Sequence, residues 1–145
     1  MAANTTPIFI KQGNFTIGRI AALNVASDGS GTLGTTLITI VTAGVDGTRV
    51  DGVRFRNASA TATTSSAMQH RIFLSDTAGA NFRLIGEVAT PAGATRATQT
   101  NIGATSIYTF DQPIIMETGQ IMAVCQSAYA GAQDQFDACA FAGDY

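Results

Sequence analysis

The chain has 145 residues, of which 46% are hydrophobic and 12% charged, and its formal net charge is −2. A chain of this length can bury about two thirds of its unfolded surface in one domain, without a metal or a disulfide. The acidic balance argues against nonspecific nucleic-acid binding, which depends on Lys and Arg facing phosphates. No apolar run approaches the roughly 20 residues of a transmembrane helix, and the N-terminus shows no signal peptide. We therefore expect one domain kept in a cytosol, with neither nucleic acid nor membrane as partner.

The first predicted element is an extended N-terminal arm, residues 1–13. It contains Pro7 followed by the apolar Ile8, Phe9 and Ile10. An apolar arm in front of a domain either covers an edge of its own sheet or docks on a neighbouring molecule. Both alternatives stay open, and residues 14–145 are expected to form the single domain.

Short β-rich runs follow the arm, and helical periodicity is almost absent. Turns rich in Gly, Asp and Ser separate about eight such runs. This pattern predicts an all-β protein, an antiparallel β-sandwich with the jelly roll as first choice. The small, polar residues 57–67 are predicted to be a flexible loop. The runs are 14–25, 35–42, 48–57, 68–75, 81–90, 106–113, 114–127 and 135–143.

The run 48–57 concentrates arginine in a chain whose only lysine is Lys11. Its alternation places Val53 and Phe55 on one face of a strand, with Arg54 and Arg56 on the other. Together with Arg49, these arginines have two interpretations. They are a solvated outer face whose charge Asp51 and other acids offset, or guanidinium forks that bind carboxylates or carbonyls across an interface.

The motifs that would carry catalytic or nucleotide chemistry lack their structural context. Gly29, Gly31 and Gly34 match G-x-G-x-x-G, but they lead into a β-branched run rather than a helix. The only histidine, His70, lies in a strand-like run and has no G-x-S-x-G partner, so we expect a structural or surface histidine. We expect neither an enzyme nor a cofactor.

The two cysteines, Cys125 and Cys139, are too few for a zinc cluster. Each lies in an apolar, strand-like run. Reduced core thiols are expected, and a cross-strand disulfide is the alternative.

Several turn-and-strand motifs lie between residues 42 and 145. They are Thr42-Ala43-Gly44, Asp46-Gly47-Thr48-Arg49, Phe82-Arg83-Leu84, Glu87 and Gly143-Asp144-Tyr145. These motifs resemble a family of small virion proteins encoded by tailed bacteriophages. The resemblance implies a jelly-roll-like structural protein that forms dimers or trimers on the capsid exterior, as a decoration or cement protein. Its implied partner is the major capsid protein, whose shell it would stabilise.

Two sets of residues are the candidate contacts with the capsid or with another subunit. They are the apolar part of the arm and the arginine cluster: Pro7, Ile8, Phe9, Ile10, Arg49, Arg54 and Arg56. A tail-fibre or receptor-binding sandwich that recognises host glycans is the alternative function. It is weakly equipped, because the chain has no tryptophan and three tyrosines with which to stack on sugars. A tail-tube or head-completion component is a third possibility.

Overall fold

The computed structural model describes residues 12–14, 16–20, 33–60, 64–94, 105–127 and 131–145. These residues contain strands and a single 3-10 turn, Ala132–Asp134, but no α-helix. All the pairings between strands are antiparallel. The strands are β1 (Gln12–Gly13), β2 (Gly18–Ile20), β3 (Ile38–Thr42), β4 (Thr48–Asn57), β5 (Thr64–Ser65), β6 (Met68–Leu74), β7 (Arg83–Thr90), β8 (Gly93–Ala94), β9 (Thr105–Met116), β10 (Ile121–Gln126) and β11 (Phe136–Asp144).

Two sheets form a sandwich with jelly-roll topology. In the five-stranded sheet, β1 and β2 both pair with β11, which is followed by β4 and β9. The four-stranded sheet has the order β3-β10-β6-β7. If β1 and β2 count as one interrupted strand and the small β5–β8 pair is set aside, eight strands remain. When these eight are renumbered from 1 to 8 along the chain, the two sheets have the orders 1-8-3-6 and 2-7-4-5. Consecutive strands thus cross between the sheets, apart from the neighbours β6 and β7, as in a jelly roll, and the predicted fold class is confirmed.

The main core lies between the sheets and follows the predicted alternation. Val53 and Phe55 of β4 are fully buried there, against Ile72 of β6 and Val124 of β10. Burying each such side chain contributes about 1.5–3 kcal/mol. Because successive side chains of a strand point to opposite faces, the neighbours of these residues lie on the outside of the sandwich.

The predicted boundary between the runs 106–113 and 114–127 is wrong. Strand β9 continues to Met116 through Pro113, and the turn comes after it. The partner register jumps from Gly52–Thr109 to Val50–Ile114, so the residues in between form a bulge. A proline lacks the N–H that pairing requires, and a bulge in an edge strand is where a sheet tolerates it.

The segment 57–67 is more ordered than the predicted flexible loop in the part that the structure describes. Asn57 and Ser59 are buried, and the Asn57 amide donates to the Gln133 carbonyl at 2.7 Å. The same side chain accepts from the Ser59 N–H at 3.0 Å. Strand β5 then pairs with β8. One local and one long-range hydrogen bond of Asn57 therefore hold a stretch that composition alone predicts to be flexible.

The apolar part of the predicted arm, Pro7 to Ile10, lies outside the described residues. The last two residues of that arm form β1, which pairs with Gly143 and Asp144 at the end of β11. The boundary between arm and domain stays a prediction.

Candidate functional site

The outer face of the five-stranded sheet carries most of the arginines that the structure describes. Arg54 and Arg56 are exposed, whereas Val53 and Phe55 between and beside them have no exposed surface. Strand β4 pairs with β11 on one side and β9 on the other, so these arginines stand in the middle of the sheet. The predicted orientation is confirmed. We call this surface the arginine face; its members are Arg19, Arg49, Asp51, Arg54, Arg56, Ile107, Ile115, Asp137, Cys139 and Phe141.

The strand register sets the neighbours of each arginine. Arg56 stands opposite Asp137 of β11 and Thr105 of β9. Arg54 stands opposite Cys139 and Ile107 in the next row. Side chains in such directly opposed positions have Cβ atoms about 4.5–5.5 Å apart. The face is therefore a continuous surface across three strands.

The four arginines of the face divide into two kinds. The Arg19 Nε atom lies 2.7 Å from Asp137 Oδ1, and Arg49 Nη2 lies 2.7 Å from Asp51 Oδ1. These hydrogen bonds raise the pKa of both guanidinium groups. Within the residues that the structure describes, neither Arg54 nor Arg56 forms a salt bridge, and Asp137, which stands opposite Arg56, is paired with Arg19. Direct pairing with an acid, as in the interpretation that Asp51 and other acids offset the charge, thus holds for Arg19 and Arg49 and not for Arg54 and Arg56.

Three large apolar side chains share this face, and sequence reasoning missed them. Ile107 is 55% exposed, Ile115 57% and Phe141 44%. The Phe141 ring lies across Gly52: a Cβ built on that glycine would meet Phe141 Cδ2 at 3.4 Å and the Tyr108 carbonyl oxygen at 2.6 Å. The sequence could have indicated them, because each is an apolar residue at a position where the alternation of its strand points the side chain outward. Arginine and aromatic residues without lysine or glutamate are the composition of interface cores.

Two of the motifs noted in the sequence, residues 42–49 and 143–145, meet at one end of the sandwich. The Asn14 amide donates to Asp144 Oδ1 at 2.6 Å, and the Thr48 hydroxyl donates to the same oxygen. The Gly44 N–H in turn donates to Thr48 Oγ1 at 2.9 Å. A Cβ on Gly44 would lie 2.7 Å from the Asp144 carboxyl carbon. The glycine of the first motif and the aspartate of the last thus form one unit that holds β1, β4 and β11 together.

His70 is a structural histidine. It is fully buried, stacks on Phe55 with ring centroids 4.4 Å apart, and contacts Phe136 at 4.6 Å. Burial lowers the pKa of His70 from 6.5 to about 3. Neither ring nitrogen has a hydrogen-bond partner among the described residues. A ring enclosed between two phenylalanines cannot reach a substrate.

The two cysteines are free, so the alternative of a disulfide is excluded. Cys125 is buried, and burial raises the pKa of its thiol to about 11, which leaves it unreactive. Cys139 is half-buried on the arginine face rather than in the core. That part of the prediction is wrong, because Cys139 occupies an outward position between the buried Ala138 and Ala140.

Other features of the described residues point to no chemistry. No group of three or more His, Cys, Asp and Glu side chains is close enough to hold a metal ion within this part of the chain. None of its helical segments is long and apolar enough to cross a membrane. Gly29 and Gly31 lie outside the described residues, and Gly34, with φ 81°, belongs to the turn before β3.

An open cleft of about 420 Å³ lies beside the turn between β6 and β7. Its acidic residue, Asp76, accepts from the N–H groups of Ala78 and Ala80 at 3.0 and 2.9 Å, and from the Asn81 amide at 2.6 Å. These hydrogen bonds lower the pKa of Asp76. The carboxylate is engaged in shaping its own turn, so the cleft offers no free acid for binding.

Comparison with known proteins finds a weak structural likeness and no matching family. No family model matches the chain, and no curated protein matches it. A chain from the structure of infectious bursal disease virus Gt strain resembles it at 17% identity over 98% of its length, with a TM-score of 0.29. The present chain spans about a third, 34%, of that viral chain. A TM-score of 0.29 marks a weak likeness that assigns no function to this chain.

Proposed function

We propose that the chain is a structural virion protein of the capsid cement or decoration type. In this role it binds the shell of major capsid protein and stabilises the head. The arginine face carries the proposal: two guanidinium groups that form no salt bridge within the described residues share a sheet surface with three exposed apolar side chains.

A docked neighbour would stabilise such a face in two ways. The guanidinium of Arg54 or Arg56 forms paired hydrogen bonds with a carboxylate, a geometry that lysine cannot match. Ile107 and Phe141 contribute about 25 cal/mol for each Å² of apolar surface removed from water. Since the chain is only 12% charged, few other groups compete for these contacts.

Sequence and topology support the same role from different directions. The motifs at residues 42–49 and 143–145 resemble those of small phage virion proteins. Jelly rolls build viral capsid domains as well as lectins, so the topology fits both the proposed function and its alternative. A protein that binds only the assembled shell stabilises it by mass action.

The proposal is tested with heads of the virion that contains this protein. We expect heads stripped of the protein to lose thermal stability and to regain it when the purified protein is added back. The double variant Arg54→Ala/Arg56→Ala should bind stripped heads at least ten-fold more weakly, a loss of about 1.4 kcal/mol or more. Arg83→Ala removes an exposed arginine from the other sheet and serves as the matched control.

Two results would contradict the proposal. Stripped heads as stable as complete ones rule out a cementing role. Equal occupancy by the double variant and the control excludes the arginine face as the contact.

The glycan-binding alternative predicts a different result. Phe141 is the one exposed aromatic side chain among the described residues, which leaves little surface for stacking on sugars. Binding of the isolated protein to host-surface glycans on an array, together with unchanged head stability, would favour the alternative.

A further inference from the structure

We propose that the arginine face of one copy receives the β3–β4 turn of a second copy, so that the chains associate head to tail. The inference rests on the proposed function only in treating the arginine face as an interface. It identifies one neighbour at that interface, in addition to the shell, as another copy of this chain.

The charge of the face disfavours a symmetric pairing of two such faces. Its four arginines and two aspartates leave a formal charge of +2 on a chain whose net charge is −2. Two copies placed face to face would bring two positively charged surfaces together. Like charges brought together in an interface cost several kcal/mol. A complementary occupant carries carboxylates and an apolar side chain.

The turn between β3 and β4 of the same chain has that composition. Val45 at its tip is 83% exposed, the most of any large apolar residue described. Asp46 follows directly and is exposed, as is Glu117 in the turn between β9 and β10. The Thr118 hydroxyl donates to the Val45 carbonyl at 2.7 Å, which holds the two turns side by side. We call Val45, Asp46 and Glu117 the acidic tip.

Hydrogen bonds hold the acidic tip in place before any partner binds. The Gly47 N–H donates to the Gly44 carbonyl at 3.0 Å and closes the β3–β4 turn. The Ala43 N–H donates to the Gln120 carbonyl at 3.0 Å and ties that turn to its neighbour. A tip that is already ordered loses little conformational entropy on docking.

The face and the tip are different surfaces of one chain, so their contact can repeat from copy to copy. Such a heterologous contact closes into a ring when the rotation between copies allows, and otherwise extends as a filament. A ring is the arrangement that would place several copies around a symmetry axis of a shell.

Cross-linking by disulfide formation tests the contact in the absence of any shell. Cys139 lies on the face and is replaced by alanine in every variant, while the buried Cys125 stays. Val45→Cys is placed in one preparation and Ile107→Cys in another, isotope-labelled one. The two are mixed under a mild oxidant, and mass spectrometry follows the mixed dimer. The matched control replaces Val45→Cys by Ala80→Cys, at an exposed position in a different turn.

We expect the Val45–Ile107 disulfide to form at least ten-fold faster than the control disulfide. Adding Arg54→Glu and Arg56→Glu to the Ile107→Cys protein should reduce the rate to that of the control. Adding Glu117→Arg to the other protein should then restore part of the difference. Equal rates for Val45→Cys and Ala80→Cys overturn the inference, as does a rate that the charge reversals leave unchanged.

The two proposals fail separately. Equal cross-linking rates, with weaker head binding by Arg54→Ala/Arg56→Ala, would assign the face to the major capsid protein and leave the proposed function intact. Faster cross-linking, with stripped heads that lose no stability, would retain the head-to-tail contact and remove the cementing role.

Discussion

The outer faces of the two sheets are both built from alternating strands, but they differ in how far their outward apolar side chains are buried. On the four-stranded sheet, the outward side chains of Phe73, Ala123 and Cys125 are fully buried, together with Leu37 and against Phe82. On the five-stranded sheet, the outward isoleucines and phenylalanine remain 44–57% exposed. Among the described residues, these outward side chains are covered on one face and accessible on the other. Alternation thus states which side chains point outward, whereas burial depends on what packs over them.

The largest expected difference between the faces is in their contribution to folding. Phe73→Ala should lower the free energy of unfolding by about 3–5 kcal/mol, because it empties space in a closed cluster. Phe141→Ala should change that free energy by less than about 1 kcal/mol, since the ring is 44% exposed. Urea unfolding of the two variants beside the unchanged protein measures both values.

The two phenylalanines are each other's control, since the same atoms are removed. Similar losses at both positions would mean that the open face also contributes to folding, and the contrast between the sheets would disappear.

Acid should lower the free energy of unfolding through His70. The pKa of His70 is lowered from 6.5 to about 3, so the unfolded chain takes up a proton at a pH where the folded chain does not. Stability is therefore complete above pH 6.5 and falls as the pH decreases toward 3. Between pH 7 and pH 5 we expect a loss of about 2 kcal/mol from this group.

The measurement is urea unfolding at pH 7 and pH 5, with His70→Leu as the variant that cannot titrate. Its stability should depend less on pH than that of the unchanged protein, by the same 2 kcal/mol or so. An equal pH dependence in both proteins would show that His70 is accessible to protons in the folded state.

The smallest expected effect compares one arginine from each outer face. Arg71 Nε lies 2.7 Å from Glu87 Oε1 on the four-stranded sheet, and the arginine side chain is only 14% exposed. Arg71→Ala should lower the free energy of unfolding by about 1 kcal/mol, whereas Arg54→Ala should leave it unchanged within about 0.5 kcal/mol. Thermal or urea unfolding checks the pair. A larger loss for Arg54→Ala would assign the arginine face a role in folding.

Much of the fold follows from local signals. Turn residues mark the ends of most strands, and the alternation in residues 48–57 correctly places Val53 and Phe55 inside, with Arg54 and Arg56 outside. The bulge around Pro113 was not predicted from the sequence, because a register shift is a property of two strands rather than of one. The burial of Asn57 was not predicted for a similar reason, since its hydrogen-bond partner Gln133 lies 76 residues away.

The candidate site was predictable in part. The arginines were found because they are adjacent in sequence, whereas Ile107, Ile115 and Phe141 come from strands β9 and β11 and meet them only in the sheet. The acidic tip likewise joins Val45 to Glu117 through a hydrogen bond between two turns. Neither group of residues can therefore be predicted from any single segment of the sequence.

The amino-acid sequence alone specifies an all-β sandwich, the inward and outward residues of its central strand, and a cluster of arginines on one side. These properties depend on residues that are close in sequence, because the backbone of a strand points successive side chains to opposite faces. The pairing of distant strands decides which outward face stays open, which arginines form a salt bridge, and how residues 42–44 meet residues 143–145. That pairing brings Gly44 against Asp144 and leaves Arg54 between Cys139 and Ile107.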